Sequence, residues 1–197
     1  MDTVVYELNN NLYINLTNKC SNTCVFCVRN GKNSYYGYNL KLKKDPTAEE
    51  VIKAVPDKKY GEVVFCGFGE PTYNIGVLTE VARELKKKGF ATRINTNGQG
   101  NLINKRDITP ELKGVIDKVN VSLNASDKNK YLKLCNPVFG EKAYEGLIDF
   151  AKKCKNQGID VNFSIVDCIG SEEIEKCKKV ADDAGITLKI REMIKDS

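Results

Sequence analysis

Apolar residues along the chain recur in two patterns: alternate positions over short runs, and helical spacing over the stretches between them. Six runs read as strands: NLYINLT around Leu12, EVVFC around Val63, ATRINT around Ile94, KVNVSL around Val121, DVNFSIV around Phe163 and TLKIR around Leu188. The intervening segments are amphipathic and have recognisable ends. Thr47 followed by Glu50 makes a capping box. Ile75, Leu78, Ala82 and Leu85 form a stripe that stops at Gly89, and Gly158 and Gly185 close two later helices. Thr109-Pro110 reads as an N-cap and first helical residue. Such alternation predicts a parallel sheet, open or curled.

The faces of the strands decide between these. Leu12/Ile14/Leu16, Val119/Val121/Leu123 and Val161/Phe163/Ile165 are apolar rows that helices can cover. The alternate positions are polar: Asn15/Thr17, Asn95/Asn97, Ser122/Asn124, Asn162/Ser164 and Lys189/Arg191. A doubly wound sheet is apolar on both faces, whereas a curved sheet can direct a polar face into a wet cavity. A complete barrel takes roughly 250 residues, and this chain has 197. The expected fold is therefore α/β: a partial (β/α)6 TIM-like barrel of parallel strands, open on one side, in one domain over residues 1–197.

Composition narrows the chemistry. The chain has no histidine, which excludes imidazole acid–base catalysis, histidine triads and histidine-ligated zinc. No apolar run reaches membrane-spanning length and the first residues lack a signal-peptide pattern, so a cytoplasmic location is expected, with no membrane partner. There the eight cysteines are expected to be reduced. A net charge of +5 is spread over runs such as KLKK (Lys41 to Lys44) and KKK (Lys86 to Lys88), solvated faces or docking sites for an acidic partner. It does not directly indicate nucleic acid.

Loops on parallel barrels carry function where they follow the strands. Here NKCSNTCVFCVRNG follows the first strand, CGFGEPT the second, NTNG the third, SLNAS the fourth, VDCIG the fifth and REM the sixth. The first holds Cys20, Cys24 and Cys27 in a C-x3-C-x2-C run. A closed tetrahedral site needs four ligands, and an electron-carrying [4Fe–4S] cluster takes four thiolates. Three thiolates leave one iron open to a further ligand. A zinc loop that recruits a distant cysteine such as Cys66 is the alternative. Cys154 and Cys177 read as buried helical residues, whereas Cys66, Cys135 and Cys168 fall near the mouth, where a second cluster or a redox thiol is the other reading.

With Phe26 before its last cysteine, C-x3-C-x-Φ-C resembles the signature of the radical S-adenosylmethionine (SAM) enzymes, whose fold is the partial barrel. The stretches NLYINLTNKCSNTCVFC, GYNLKL and GEPT together are similar to the small subgroup associated with TatD-type hydrolases. The resemblance implies a cluster on Cys20, Cys24 and Cys27, with SAM's amino and carboxylate groups on the open iron. It implies reductive cleavage of SAM to a 5′-deoxyadenosyl radical that abstracts hydrogen from an unidentified substrate. Flavodoxin or ferredoxin is the implied electron donor, docked near Lys41, Lys43 and Lys44, and a functional link to a TatD-type hydrolase is implied as well.

The same resemblance supplies expected cofactor contacts. Gly67, Phe68, Gly69 and Glu70 are similar to a G-G-E-P stretch whose backbone and carboxylate receive the SAM ammonium; Phe68 stands where the second glycine would. Asn95, Asn97 and Gly98 resemble the D-T-N-G loop of glycyl-radical activating enzymes, which touches the ribose, with Asn95 replacing the aspartate. Ser122 and Asn124 match positions near the SAM carboxylate or ribose. Ser164, Val166 and Arg191 complete the set, although Arg191 also reads as a solvent-exposed strand end. NSYYGYNL (Asn33 to Leu40) reads either as packing over the barrel or as a lid, across whose open side substrate enters. Two further functions stay open: a glycyl-radical activase acting on a partner protein, and a non-enzymatic zinc or iron–sulfur module.

Overall fold

The computed structural model describes residues 3–193. Strands β1 (Val5–Leu8) and β2 (Asn11–Ile14) form an antiparallel pair. They turn at Asn9 and Asn10, whose φ angles are 50° and 62°. Asparagine tolerates the left-handed region, and two such residues in succession give a turn whose twist suits the flanking strands. A second hairpin, β3 (Ser34–Tyr35) and β4 (Tyr38–Asn39), turns at Tyr36 and Gly37.

From there strand and helix alternate: α1 (Ala48–Ala54), β5 (Val63–Phe65), α2 (Ile75–Lys87) and β6 (Thr92–Thr96). Two short helices, α3 (Gly100–Asn104) and α4 (Thr109–Leu112), lead to β7 (Lys118–Ser122). The chain continues through α5 (Lys128–Cys135), α6 (Lys142–Asn156), β8 (Asp160–Val166), α7 (Ser171–Asp183) and β9 (Thr187–Arg191).

The main sheet runs β1-β2-β5-β6-β7-β8-β9, parallel from β2 onward. The six expected strands are the six parallel ones; β1 is an addition that the apolar pattern does not predict. Its pattern is weak, since only Tyr6 of its four residues is buried. Residues of β1 (Tyr6) and β9 (Arg191) line one cavity, so the sheet curls strongly without closing.

The expected sidedness holds. Leu12, Ile14, Val119, Val121, Phe163 and Ile165 are fully buried beneath the helices, and Asn120, Asn162 and Ser164 lie on the opposite, concave face. The capping box is formed: Thr47 accepts from the Glu50 amide at 3.2 Å while the Glu50 carboxylate accepts from the Thr47 amide at 2.8 Å. At α4 the reading shifts by one residue. Ile108 is the N-cap and Thr109 lies inside the helix, because the Asp107 carboxylate takes both the Thr109 amide (3.0 Å) and its hydroxyl (2.8 Å). Cys154 and Cys177 are buried on α6 and α7. Among the described residues no helix is long and apolar enough to cross a membrane.

Candidate functional site

The loop after β2 is pinned from several directions. The Thr23 and Val25 amides donate to the Cys135 and Leu134 carbonyls of α5 at 3.0 and 2.9 Å. Asn18 exchanges two bonds with the Leu42 backbone, at 2.7 and 3.0 Å. Arg29 donates to the carbonyls of Asn18 (3.1 Å), Asn22 (3.0 Å) and Phe68 (3.3 Å), a guanidinium fork that closes the loop on itself and on the loop after β5. Cys20, Cys24 and Cys27 are all half-buried within this frame.

Three half-buried thiols on one braced loop are soft sulfur ligands, the donor type that iron–sulfur clusters take, so the residues present fit a [4Fe–4S] cluster. Cys135 lies directly beneath Cys24: the hydrogen bond between the two thiols, with burial, pushes the Cys24 thiol well up, and the same bond pulls Cys135 down. Burial and the nearby Glu70 charge raise Cys20 to about 11. Ligation needs thiolates, so loading the site must release protons.

Glu70 is the junction of the site. The expected contact is with a ligand's ammonium, but the carboxylate is already engaged inside the protein. One oxygen accepts from the Thr72 amide (3.2 Å), the Thr72 hydroxyl (2.7 Å) and the Thr96 hydroxyl (2.7 Å); the other accepts from the Asn97 amide at 2.7 Å. It caps the 3-10 turn Pro71–Asn74 and ties it to the end of β6. Burial raises its carboxyl above the usual range, against the pull of these four donors. Gly67 and Gly69 are demanded by packing here: an added Cβ would lie 2.1 Å from Asn15 Oδ1 at the first and 2.2 Å from the Thr17 carbonyl at the second. Phe68 is buried against Tyr6 and Leu40, anchoring the loop under the first hairpin.

The Asn95–Gly98 loop divides. Asn97 faces the cysteine loop, its side-chain amide 2.8 Å from the Ser21 hydroxyl and 3.9 Å from Cys20 Sγ. Asn95 instead lies deeper, accepting from Arg93 at 2.6 Å beside the Cys66 thiol. Asn124, at φ 59°, donates to Cys135 Sγ at 3.6 Å, and its Oδ1 is buried with no hydrogen-bond partner. Ser122 and Ser164 are register neighbours on the concave face, as are Val166 and Arg191 further along. Phe26 is half-buried and packs on the main core. Cys66 lines the inner cavity, Cys135 backs the cysteine loop and Cys168 is exposed. The tyrosine-rich segment is the β3–β4 hairpin, packed over the barrel with Tyr38 5.5 Å from the Tyr6 ring.

Four residues join the site without a sequence signal: Arg29, Asn22, Gln99 and Tyr131. Gln99 donates to Asn22 Oδ1 (2.8 Å) and to the Tyr131 hydroxyl (3.0 Å), and Asn22 donates to that hydroxyl at 3.0 Å. This buried triangle binds the cysteine loop to α5 and to the loop after β6. Its members are separated by up to 109 positions, so only the tertiary fold brings them together.

The family model described as Radical SAM superfamily matches residues 14–184. A protein of Methanocaldococcus jannaschii named for glycyl-radical enzyme activation is 26% identical over 175 residues, covering 85% of this chain and 67% of that protein. A GTP 3′,8-cyclase of Thermodesulfovibrio yellowstonii is 26% identical over 170 residues, covering 84% of this chain and 50% of the cyclase. The chain thus spans about half to two thirds of these relatives' length. Among solved structures, Streptococcus suis SuiB bound to S-adenosylmethionine shares the fold, with a TM-score of 0.73 at 19% identity over 95% of this chain and 41% of SuiB. With a family match over most of its length, the chain belongs to the radical SAM superfamily, the enzymes whose cofactors are a [4Fe–4S] cluster and S-adenosylmethionine.

Proposed function

We propose that Cys20, Cys24 and Cys27 hold one [4Fe–4S] cluster and that SAM lies across the loops after β5, β6 and β7. When bound and reduced, the cluster supplies the electron that cleaves SAM to methionine and a 5′-deoxyadenosyl radical, the species that takes hydrogen from a substrate. The protein's own part is positioning. Arg29 and the Asn22–Gln99–Tyr131 triangle fix the cysteine loop. Glu70 locks the Gly67–Gly69 backbone against the Asn97 turn; with the Phe68 carbonyl taken by Arg29, the Gly67 and Gly69 carbonyls are the ones to meet the ammonium. Asn97, Ser122 and Asn124 offer amide and hydroxyl groups to the ribose or carboxylate, with Ser164, Val166 and Phe26 beside them.

The observation that carries this reading is the knitting of three separate loops, through Glu70, Asn97 and Ser21, around the half-buried thiols. Anaerobic reconstitution with iron and sulfide, followed by reduction with SAM present, should yield 5′-deoxyadenosine. Zinc at full occupancy with no iron uptake would refute it.

Flavodoxin or ferredoxin is the proposed electron donor. The relative named for glycyl-radical activation favours a second reading, in which the radical acts on a partner protein. The finer likeness to TatD-associated radical SAM proteins rests on the stretches NLYINLTNKCSNTCVFC, GYNLKL and GEPT.

A further inference from the structure

The concave face carries a second constellation, deeper than the loops. A cavity of about 340 Å³ is lined by Cys66, Phe68, Arg93, Asn95, Asn120 and Arg191, with Glu192 at its lip. A second, of about 230 Å³, shares Arg93, Asn120 and Arg191 and adds Glu62, Lys118 and Lys189. Three residues line both, so the two cavities adjoin at Arg93, Asn120 and Arg191 and are treated together as one chamber. Arg93 lies four residues before Asn97 on β6, about 13 Å of strand at the usual rise. The chamber floor is therefore well below the loops proposed to hold SAM.

Its charges do not balance internally. Lys118 pairs with Asp160 at 2.8 Å, and Arg93 is oriented by Glu62 (2.7 Å to Nε) and by Asn95 (2.6 Å to Nη1). The Lys189 and Arg191 side chains make no hydrogen bond or ion pair among the described residues. Arg191 is an exposed residue of the edge strand that also lines this cavity, with Cys66, Tyr35 and Arg93 near enough to act on its charge. Arg93 has Glu62 as its counter-ion, whereas Arg191 brings a second positive charge to the chamber that no carboxylate among the described residues pairs with. The opposite wall is apolar and aromatic: Tyr6, Tyr13, Tyr35 and Leu40, with the Tyr6 and Tyr13 rings stacked at 5.1 Å.

We infer that Arg93 and Arg191 form a subsite for an organic anion, a carboxylate or a phosphate ester with a flat apolar body. The guanidinium pair would hold its charged end and the tyrosine wall its body. Planar guanidiniums match both anions in bidentate geometry, and a cavity of this size suits a small molecule. The inference rests on the function proposed above in one respect: the anion belongs to the substrate that awaits hydrogen abstraction, so Arg191 serves substrate and not SAM.

Binding to the cluster-free protein tests the site separately from the radical chemistry. Benzoate and phenyl phosphate serve as probes, with benzyl alcohol as the neutral control, read by calorimetry and thermal unfolding. At least one anion should bind and stabilise the protein while the alcohol does not; which one binds distinguishes carboxylate from phosphate. Arg191→Gln should lose about ten- to hundredfold in affinity for that anion, and Arg191→Lys should recover only part of it. Arg93→Gln should do the same. Should loss of the Glu62 pair unfold it, the edge-strand variant still decides. In reconstituted protein, Arg191→Gln should leave SAM affinity unchanged. No anion binding, equal binding by the alcohol, undiminished binding in Arg191→Gln, or a tenfold loss of SAM affinity in that variant would each overturn the inference. Failure to form 5′-deoxyadenosine would sink the radical reading and leave the anion measurement standing.

Discussion

Gly69→Ala separates two reasons for a glycine in the loop after β5. A Cβ there would sit 2.2 Å from the Thr17 carbonyl oxygen, 2.6 Å from the Lys19 carbonyl oxygen and 2.8 Å from the Thr17 carbonyl carbon, where ordinary contact begins at 3.4 Å. All three are backbone atoms, so no side-chain rotation relieves the overlap. The loop must move by about 1 Å, and in moving it loses the Glu70 amide bond to the Lys19 carbonyl, now 2.8 Å. Overpacking strain of about 1–3 kcal/mol and a hydrogen bond of about 1 kcal/mol add to about 2–4 kcal/mol. For a chain of this length that lowers Tm by roughly 4–16 °C. Urea and thermal unfolding of the cluster-free protein, without SAM, measure it directly. If the glycine serves only to admit a ligand, stability stays within about 0.5 kcal/mol of the parent while SAM affinity falls, and the packing argument is wrong.

Three further outcomes are expected. Because burial holds the Glu70 carboxyl above its ordinary 4.5, the folded state keeps a proton that the unfolded chain has released; that contribution is present below 4.5 and is lost as pH rises through the folded value. Glu70→Gln should therefore flatten the decline of urea midpoints with rising pH across the mildly acidic range, and a parallel curve would refute the assignment. Cys20→Ala, Cys24→Ala and Cys27→Ala should each abolish the iron–sulfur absorbance after reconstitution, whereas Cys135→Ala should retain it; loss in Cys135→Ala would make it a ligand. Lys41 flanks the groove where Arg29 braces the cysteine loop, while Lys44 is engaged by Glu50 at 2.7 Å. Lys41→Glu should slow flavodoxin-driven turnover severalfold at low salt and spare dithionite-driven turnover, a difference that added salt erases.

The parallel sheet is legible in the chain because each strand has one dry and one wet face, and a period of two exposes both. Val119 and Val121 against Asn120 and Ser122 are enough to orient β7. Strand β1 escapes because burial there is confined to Tyr6; its signal is the Asn9-Asn10 turn, which is readable from residue type alone. The cysteine loop declares itself because its ligands are close in sequence. The triangle of Asn22, Gln99 and Tyr131 does not, since nothing local to any of the three requires the others. Glu70 illustrates a subtler difficulty. Its position in the motif is plain, but the four donors around it come from Thr72, Thr96 and Asn97, and only the folded loops show that they fill its lone pairs. Arg191 is similar: it is an exposed strand end, as an arginine there reads, and only the curl of the sheet shows that it also lines a cavity with Arg93.

The first hairpin also makes the two margins of the curled sheet unequal. On one side β1 covers β2, and the second hairpin leans against it, with the Thr3 amide reaching the Asn39 carbonyl at 3.3 Å and the Tyr38 ring meeting Tyr6. On the other side β9 pairs, among the described residues, only with β8, and Ile190 on it is half exposed. Exposed edge strands offer unsatisfied main-chain groups to any extended segment that approaches. Of the two margins, β9, the strand that carries Arg191, is therefore the less obstructed one for an added strand. A segment docking there would lengthen the wall of the anion chamber, whereas at the β1 margin the second hairpin already occupies part of the approach.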